Sequence, residues 1–250
     1  MKPEIYIGTS GYSHDSFKGL FYPADVKPRD YLSFYAKHFN CVELNVTFYR
    51  LIPPETFRAW HEEAPADFRF VIKGSRYITH IHRLNEFEEP LDRYFKNAKP
   101  LGPKLLGVLW QFPPSFTRDE KDTDRLVRFV QALKKHECFH SFEFRHPSWF
   151  CEQTYDLLSA NNMNLCIAHS AEFATSAPQQ TCDFVYLRFH GPEKLYESEY
   201  SEKEMETWAD RARQWLRHSK FLCAFFNNDY HGYAIRNAGQ LKQILERTAG

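Results

Sequence analysis

The sequence lacks several features that would assign it to a class at once. No long uninterrupted apolar stretch is present, so a soluble protein without membrane spans is expected. Neither charge is in excess, with 32 Lys plus Arg against 32 Asp plus Glu. Net charge therefore favours neither nucleic acid nor an anionic membrane as a partner. Internal repeats, low-complexity tracts and interdomain linkers are also missing, which favours a single domain over residues 1–250.

Cofactor and redox motifs are missing as well. The chain has no phosphate-binding loop, no Gly-x-Gly-x-x-Gly, no Gly-x-Ser-x-Gly elbow and no zincin helix, so we expect no cofactor. None of the six cysteines forms a Cys-x-x-Cys pair, and Cys41, Cys166 and Cys223 lie in or at the start of apolar runs, which is typical of reduced thiols. No signal-like leader precedes the first apolar run. These features predict a cytoplasmic protein.

Eight short apolar runs cross the chain, and most end in a polar or charged residue. They are Ile5–Thr9, Cys41–Asn45, Phe68–Lys73, Leu105–Gln111, His140–Arg145, Leu165–His169, Phe184–His190 and Phe221–Asn227. Near-continuous apolar runs are typical of buried parallel strands. Amphipathic segments separate most of them, of which Ser201–Leu216 is the clearest. The pattern predicts an α/β fold, a TIM-type (β/α)₈ barrel of parallel strands.

Two segments interrupt the alternation of strands and helices. Ser170–Cys182 is polar and contains Pro178, so we expect the sixth helix to be short or replaced by a loop. Ser10–Pro28 follows the first strand and is rich in Gly, Tyr, His and Pro. Long loops in compact domains are usually functional. We therefore expect Ser10–Pro28 to border the catalytic face, where the carboxyl ends of the strands lie.

Two glutamates, Glu43 and Glu143, lie near the ends of the second and fifth runs. Two carboxylates across a barrel mouth suit acid/base or nucleophilic catalysis, as in glycoside hydrolysis. The other interpretation is a structural ion pair, for instance between Glu43 and Lys73, because a buried carboxylate must be paired or hydrogen-bonded. His190 ends the seventh run and is a candidate proton carrier.

Three cations, Lys73, Arg145 and Arg188, lie at or near strand ends. Their charges suit a phosphate or carboxylate, which the planar fork of arginine binds in a bidentate manner. Strand alternation puts Tyr186, Arg188 and His190 on one face, which predicts that Arg188 points into the barrel. The other interpretation is mutual neutralisation of these cations by the neighbouring acidic residues.

Further polar and aromatic residues are placed at the same mouth. Asn45 and Asn227 end strands and would orient hydroxyl groups, although Asn also caps loops throughout proteins. Tyr12, Tyr49 and Trp149 follow strands and would stack on a ligand, or else pack over the barrel end. Twelve histidines are present, but no spacing among them matches a metal-ligand motif. We therefore expect no metal at this site.

Ordered strings along the chain are similar to those of a known family. They include Gly8–Ser13, Phe39–Asn45, Phe70–Lys73, Gln111–Pro114, Glu143–Trp149, Arg188–Gly191 and Phe226–Asp229. The chain thereby resembles the YecE-like family, domain of unknown function 72, from the first strand to the last helix. Tyr12 and Phe17 depart from it, standing where the family has tryptophan. The resemblance implies a TIM-type barrel and brings no established activity.

The leading hypothesis is a cofactor-independent hydrolase or lyase acting on a small anionic substrate, bearing phosphate or carboxylate, at the barrel mouth. The alternative is a non-catalytic protein that binds nucleic acid or a phosphorylated metabolite. A metal-dependent nuclease or isomerase ranks last. Nucleic acid is the less favoured partner, and no membrane partner is expected.

Overall fold

The apolar runs form parallel strands in the computed structural model, which describes residues 3–173, 175 and 178–247. The strands are β1 Glu4–Thr9, β2 Cys41–Leu44, β3 Arg69–Lys73, β4 Leu105–Gln111, β5 Phe139–Glu143, β6 Asn164–Leu165, β7 Ile167–His169, β8 Phe184–Phe189 and β9 Phe221–Phe226. They form two parallel sheets, in the orders β1-β9-β8-β7 and β2-β3-β4-β5-β6. The fold is therefore α/β and of the TIM type, as predicted.

Helices separate most of the strands. They are α1 Tyr31–Tyr35, α2 Val46–Tyr49, α3 Pro54–Glu63, α4 Glu88–Ala98, α5 Glu120–Leu133, α6 Glu152–Ser159, α7 Glu202–Leu216 and α8 Tyr233–Arg247, with a π-helix at Tyr77–Ile81. A capping box between Ser201 and Glu204 starts α7. Between β7 and β8 the described residues contain no helix, in agreement with the expected loop at Ser170–Cys182.

The sixth predicted strand, Leu165–His169, is two strands in the structure. β6 pairs with β5, while β7 pairs with β8 in the other sheet. Cys166 lies between them, and its N–H still donates to the carbonyl of Phe142 on β5. Periodicity along the run does not reveal the change of partner, because both halves are buried. One continuous segment thus joins the two sheets.

The second junction, between β1 and β2, is made by side chains instead of a strand ladder. The amide of Asn40 donates to the carbonyl of Ile5 at 2.7 Å and accepts from the N–H of Ile7 at 3.2 Å. The buried hydroxyl of Tyr35 accepts from the N–H of Thr9 at 2.8 Å and contacts the carbonyl of Cys41 at 3.2 Å. These bonds satisfy backbone groups that would otherwise be buried without partners.

Alternation along the strands separates two hydrophobic cores. The larger core lies between strands and helices and takes residues such as Leu187 and Phe189. The smaller core takes the opposite faces of the strands, and its buried members are Tyr6, Cys41, Val71, Leu109, Cys166, Ala168, Tyr186, Cys223 and Phe225. Glu43, Lys73 and Arg188 each lie two positions after a member of this core, namely Cys41, Val71 and Tyr186. Each polar residue therefore continues the inner face toward the carboxyl ends of the strands.

Candidate functional site

Arg188 is the centre of a buried charged network at the carboxyl ends of the strands. Its side chain, on β8, is fully buried. Nη2 and Nε donate to the carboxylate of Glu43 on β2, at 2.7 Å and 3.1 Å. Nη1 donates to Glu143 at the end of β5. Arg188 therefore points inward, as alternation predicted, and its charged partners in this structure are the two glutamates.

Glu43 receives two further hydrogen bonds. The hydroxyl of Ser10 donates at 2.6 Å and that of Tyr186 at 2.5 Å. Burial alone raises the pKa of Glu43, but the Arg188 charge and the donated hydrogen bonds outweigh it and lower that pKa. Ser10 and Tyr186 were not assigned to the site from the sequence. Their signals were the position of Ser10 directly after β1 and the inward face that Tyr186 shares with Arg188.

The carboxylate of Glu143, like that of Glu43, is contacted by several side chains. Arg145, two residues further along the chain, donates from Nε at 2.9 Å, and Nε2 of His190 lies 3.6 Å from the same carboxylate. Burial raises the pKa of Glu143, but the charges of Arg188 and Arg145 hold it well below its usual value. A general acid needs a raised pKa, so this environment does not suit the acid role that the sequence suggested for either glutamate.

His190, the predicted proton carrier, is buried directly after β8. Its Nε2 is 3.2 Å from Nη1 of Arg188, and its Nδ1 is 3.2 Å from the amide of Asn227, which follows β9. Burial, followed by the charge of Arg188, lowers the pKa of His190 to about 4. The imidazole is therefore neutral at pH 7. Its two nitrogens contact Arg188 and Asn227, so His190 connects Asn227 to the charged network.

Lys73 ends β3 and is 7% exposed. Its Nζ lies 4.3 Å from the centre of the Phe48 ring and makes no hydrogen bond or ion pair within the described part of the chain. Burial, followed by the charge of Arg188, lowers the pKa of Lys73 to about 7. The ion pair between Lys73 and Glu43 that the alternative interpretation offered is not observed, because Glu43 accepts hydrogen bonds from Arg188, Ser10 and Tyr186.

The Ser10–Pro28 segment borders this end of the strands, as predicted. Ser10 reaches Glu43, and His14 lies 3.7 Å from Asp229, which follows β9. Beside it is a cavity of about 350 Å³, whose lining includes Tyr12 and Asn45. Asn45 donates to the carbonyl of Ser10 at 3.1 Å, while its buried Oδ1 has no partner among the described residues.

The three aromatic candidates, Tyr12, Tyr49 and Trp149, lie in different parts of the structure. Trp149 is almost fully buried, lies parallel to Phe116 and Phe144 and donates to the carbonyl of Phe116 at 2.7 Å. It therefore packs in the larger core and has no free face for a ligand. Tyr49 is 67% exposed and lines a separate cavity of about 510 Å³. Only Tyr12 of the three borders the cavity beside Ser10.

No cluster of three or more His, Cys, Asp or Glu side chains suited to a metal ion occurs among residues 3–173, 175 and 178–247. All six cysteines are free thiols. The site is thus an arrangement of cations, carboxylates and amides. Across the same residues, no helix combines the length and the apolar character needed to cross a membrane.

The fold and the site define a TIM-type α/β protein with a buried arginine–glutamate network at the carboxyl ends of its strands. The chain belongs to the family described as "Protein of unknown function DUF72", whose profile matches residues 6–250.

Solved and curated relatives agree with this assignment. A DUF72 family protein from Thermotoga maritima is 31% identical and superposes with a TM-score of 0.88, covering 97% of this chain and 99% of that protein. The UPF0759 protein YunF of Bacillus subtilis is 26% identical over 97% of this chain and 95% of its own length. The UPF0759 protein YecE of Escherichia coli is 33% identical over 59% of this chain and 51% of its own length.

Proposed function

We propose that the protein is a cofactor-independent enzyme, a lyase or hydrolase, that acts on a small anionic substrate at the carboxyl ends of the strands. The substrate carries a carboxylate or a phosphate. One observation carries the proposal: Lys73 is a buried cation without a counterion among the described residues.

The charges of the two arginines and the two glutamates balance one another, which leaves the positive charge of Lys73 without a partner. Arg188 and Arg145 carry two positive charges, and Glu43 and Glu143 carry two negative charges in direct contact with them. His190 is neutral because its pKa is about 4. A protonated Lys73 therefore adds one positive charge that no carboxylate of the described residues contacts, since Asp229, which is ionised at pH 7, pairs with His14. A ligand anion beside it would remove that cost, since buried charges are stabilised by pairing.

Arg145 offers a second contact for the same anion. Its Nε is committed to Glu143, but its two Nη groups make no hydrogen bond in the described part of the chain. The guanidinium lies over the ring of Phe173, with its carbon 4.3 Å from the ring centre. Free Nη groups on a guanidinium that is held in place suit bidentate recognition of a carboxylate or phosphate.

Catalysis, in addition to binding, is supported by the pKa of Lys73. A value of about 7 lets the amine accept and release protons near neutral pH, which is the condition for an efficient general base. Glu43 and Glu143 then position Arg188 and Arg145 and neutralise them. Asn45 and Asn227 supply amide groups at the same end of the strands.

Calorimetric titration with inorganic phosphate, sulfate and a panel of small carboxylates tests the anion site. Lys73→Met and Arg145→Met should each weaken the best ligand by about tenfold or more, the range of a lost charge-assisted hydrogen bond. Lys104→Met is the matched control, because Lys104 is also buried but donates to the carbonyls of His61 and Ala64. Equal affinities in wild type and Lys73→Met would refute the proposal.

A second candidate function is binding without chemistry, and the 510 Å³ cavity favours it. Tyr49 and Tyr77, 67% and 46% exposed, line this cavity together with Arg50 and Arg76. Aromatic rings beside arginines suit a base stacked on a ring with its phosphate on a guanidinium.

Fluorescence anisotropy with a labelled single-stranded oligonucleotide tests this second function. Tyr49→Ala and Arg76→Ala should each reduce affinity, and Tyr230→Ala, a change of an exposed tyrosine outside the cavity lining, should not. No binding by wild type at low salt would exclude this function for nucleic acid.

A further inference from the structure

Two buried lysines, Lys73 and Lys104, differ in whether their ammonium groups have hydrogen-bond acceptors. Lys104, 8% exposed, donates to the carbonyls of His61 and Ala64 at 2.5 Å and 2.6 Å, so its ammonium group is solvated by the backbone. Lys73 is buried to the same extent, yet its Nζ has an aromatic face beside it and no acceptor in the described part of the chain. An ammonium group without acceptors is disfavoured relative to the neutral amine.

Charged groups from several elements surround Lys73. They are Glu43 on β2, Glu143 and Arg145 at and after β5, and Arg188 on β8. Burial, followed by the charge of Lys73, lowers the pKa of His80 on the π-helix to about 4, so His80 is neutral at pH 7. The two arginines disfavour the ammonium form, and the two glutamates, each already bonded to an arginine, oppose them only in part. Lys73 is thus a substantial fraction neutral amine at pH 7.

We propose that Lys73 is a nucleophile that forms an imine with the carbonyl carbon of an oxo acid, whose carboxylate is held by the Nη groups of Arg145. This inference rests on the proposed anion site and specifies its substrate class. A lysine desolvated beside other cations is one of the recognised ways in which proteins produce a nucleophilic amine.

The step balances without an external oxidant or reductant. The Lys73 ammonium gives one proton to water, and the nitrogen lone pair then forms a C–N bond to the carbonyl carbon. The carbonyl π electrons move to oxygen, which takes that proton back from the hydronium ion. A second N–H proton is then transferred to this hydroxyl, the C–O bond breaks as the nitrogen lone pair forms the C=N bond, and water departs. The nitrogen keeps its third proton, so ammonium plus carbonyl yields iminium plus water, and loss of that proton gives the imine.

An iminium on Lys73 would favour one class of reaction, the breaking of a bond at the carbon next to the former carbonyl. Its positive nitrogen accepts an electron pair released at the neighbouring carbon, which lowers the barrier to breaking a C–C or C–H bond there. Hydrolysis of an ester or glycoside gains nothing from it. An imine on Lys73 therefore makes the enzyme a lyase that acts next to a carbonyl.

Reductive trapping tests the inference. The folded wild type is incubated with pyruvate or glyoxylate and cyanoborohydride at pH 7, digested with a glutamate-specific protease and mapped by mass spectrometry. A pKa of about 7 against 10.5 gives Lys73 a neutral fraction roughly a thousandfold larger than that of an ordinary lysine. Burial also lowers the pKa of Lys104, but two backbone carbonyls hold its ammonium group. We expect Lys73 to be labelled at least tenfold faster than Lys104, which serves as an internal control in the same digest.

Three further measurements sharpen the test. Labelling of Lys73 should rise as pH increases through about 7 and then level off, while labelling of exposed lysines keeps rising toward pH 10. Arg145→Met should slow labelling by pyruvate at least tenfold more than labelling by acetaldehyde, which has no carboxylate and is slowed only because the lost charge of Arg145 lets the pKa of Lys73 rise. Lys73→Arg, which keeps the charge but is not a nucleophile, should retain calorimetric anion binding within a few-fold and lose the adduct.

The outcomes separate this inference from the proposed function. If wild type binds pyruvate in a Lys73-dependent manner but Lys73 is trapped no faster than Lys104, the imine is wrong and the anion site stands. If neither pyruvate nor phosphate binds and no adduct forms on Lys73, both are wrong.

Discussion

Arg188 on β8 donates two hydrogen bonds to Glu43 on β2, although β8 and β2 belong to different sheets. The same guanidinium reaches Glu143 on β5. Three strands that do not pair with one another are thus connected through one fully buried side chain. The network is therefore a structural element of the inner face as well as the base of the candidate site.

Removing Arg188 should destabilise the protein strongly. In Arg188→Leu, two carboxylates remain buried without their main counterion, and the expected loss is about 3–5 kcal/mol at pH 7. The loss should shrink as pH falls below 4.5. The lowered pKa of Glu43 and Glu143 keeps them ionised in the folded wild type while the unfolded chain takes up protons, so the wild type loses stability there, whereas burial without Arg188 favours protonated glutamates in the folded variant. Urea denaturation at several pH values measures this difference.

Replacing all three charges should restore most of that stability. The triple variant Arg188→Met, Glu43→Gln and Glu143→Gln has no charge at these three buried positions, and Arg145, which loses its partner Glu143, is 14% exposed. Arg211→Leu, a change of an exposed arginine packed on Trp208, is the control for losing an arginine and should cost under about 1 kcal/mol. A triple variant no more stable than Arg188→Leu would contradict the pairing argument.

Lys73→Met should stabilise the protein in phosphate-free buffer, and the gain should depend on pH. Between about pH 7 and 10.5 the unfolded chain holds a proton on Lys73 that the folded protein has lost. The wild type therefore gains stability as pH rises through this window. The advantage of Lys73→Met is largest below pH 7, on the order of 2–4 kcal/mol, and falls toward pH 10.5. A gain that is constant with pH would show that Lys73 keeps its ordinary pKa.

His190 should make the wild type sensitive to mild acid. The unfolded chain takes up a proton near pH 6.5, whereas the folded protein resists protonation of His190 until about pH 4. Stability is therefore lost as pH falls from 6.5 to 4, by on the order of 3 kcal/mol. His190→Gln does not titrate and should lack this part of the slope. Thermal denaturation of both proteins across this range compares them, and parallel curves would contradict the assignment.

Asn40→Ala should open the junction between β1 and β2. It leaves the N–H of Ile7 and the carbonyl of Ile5 without their partners, at a cost of about 2–3 kcal/mol. Hydrogen exchange should increase at Ile7 first, because its protecting bond is lost directly. Asn85→Ala, at an exposed position, is the control and should change neither stability nor exchange at Ile7. Unchanged exchange at Ile7 in Asn40→Ala would show that other contacts close this junction.

The sequence by itself determined the parallel α/β architecture and the inner face of β8. Near-continuous apolar runs separated by amphipathic segments require strands covered by helices, and the period of two in Tyr186, Arg188 and His190 fixes a common side. The runs also ended within a residue or two of the observed strands. Short elements such as α2 and α6 were not predicted, because four to eight residues carry too little periodicity.

Only the tertiary structure determined which charged side chains form ion pairs with one another. The sequence suggested Lys73 as an ion-pair partner of Glu43 and left the partners of Arg188 open between the two glutamates and a ligand anion, since spacing along the chain does not fix distances between strands. In the structure, Arg188 forms ion pairs with both glutamates and Arg145 forms one with Glu143. Lys73 lies beside Phe48 without an ion-pair partner in the described chain. The fold also buries Trp149 in a stack of rings. These outcomes depend on side-chain packing between distant segments, which no local pattern contains.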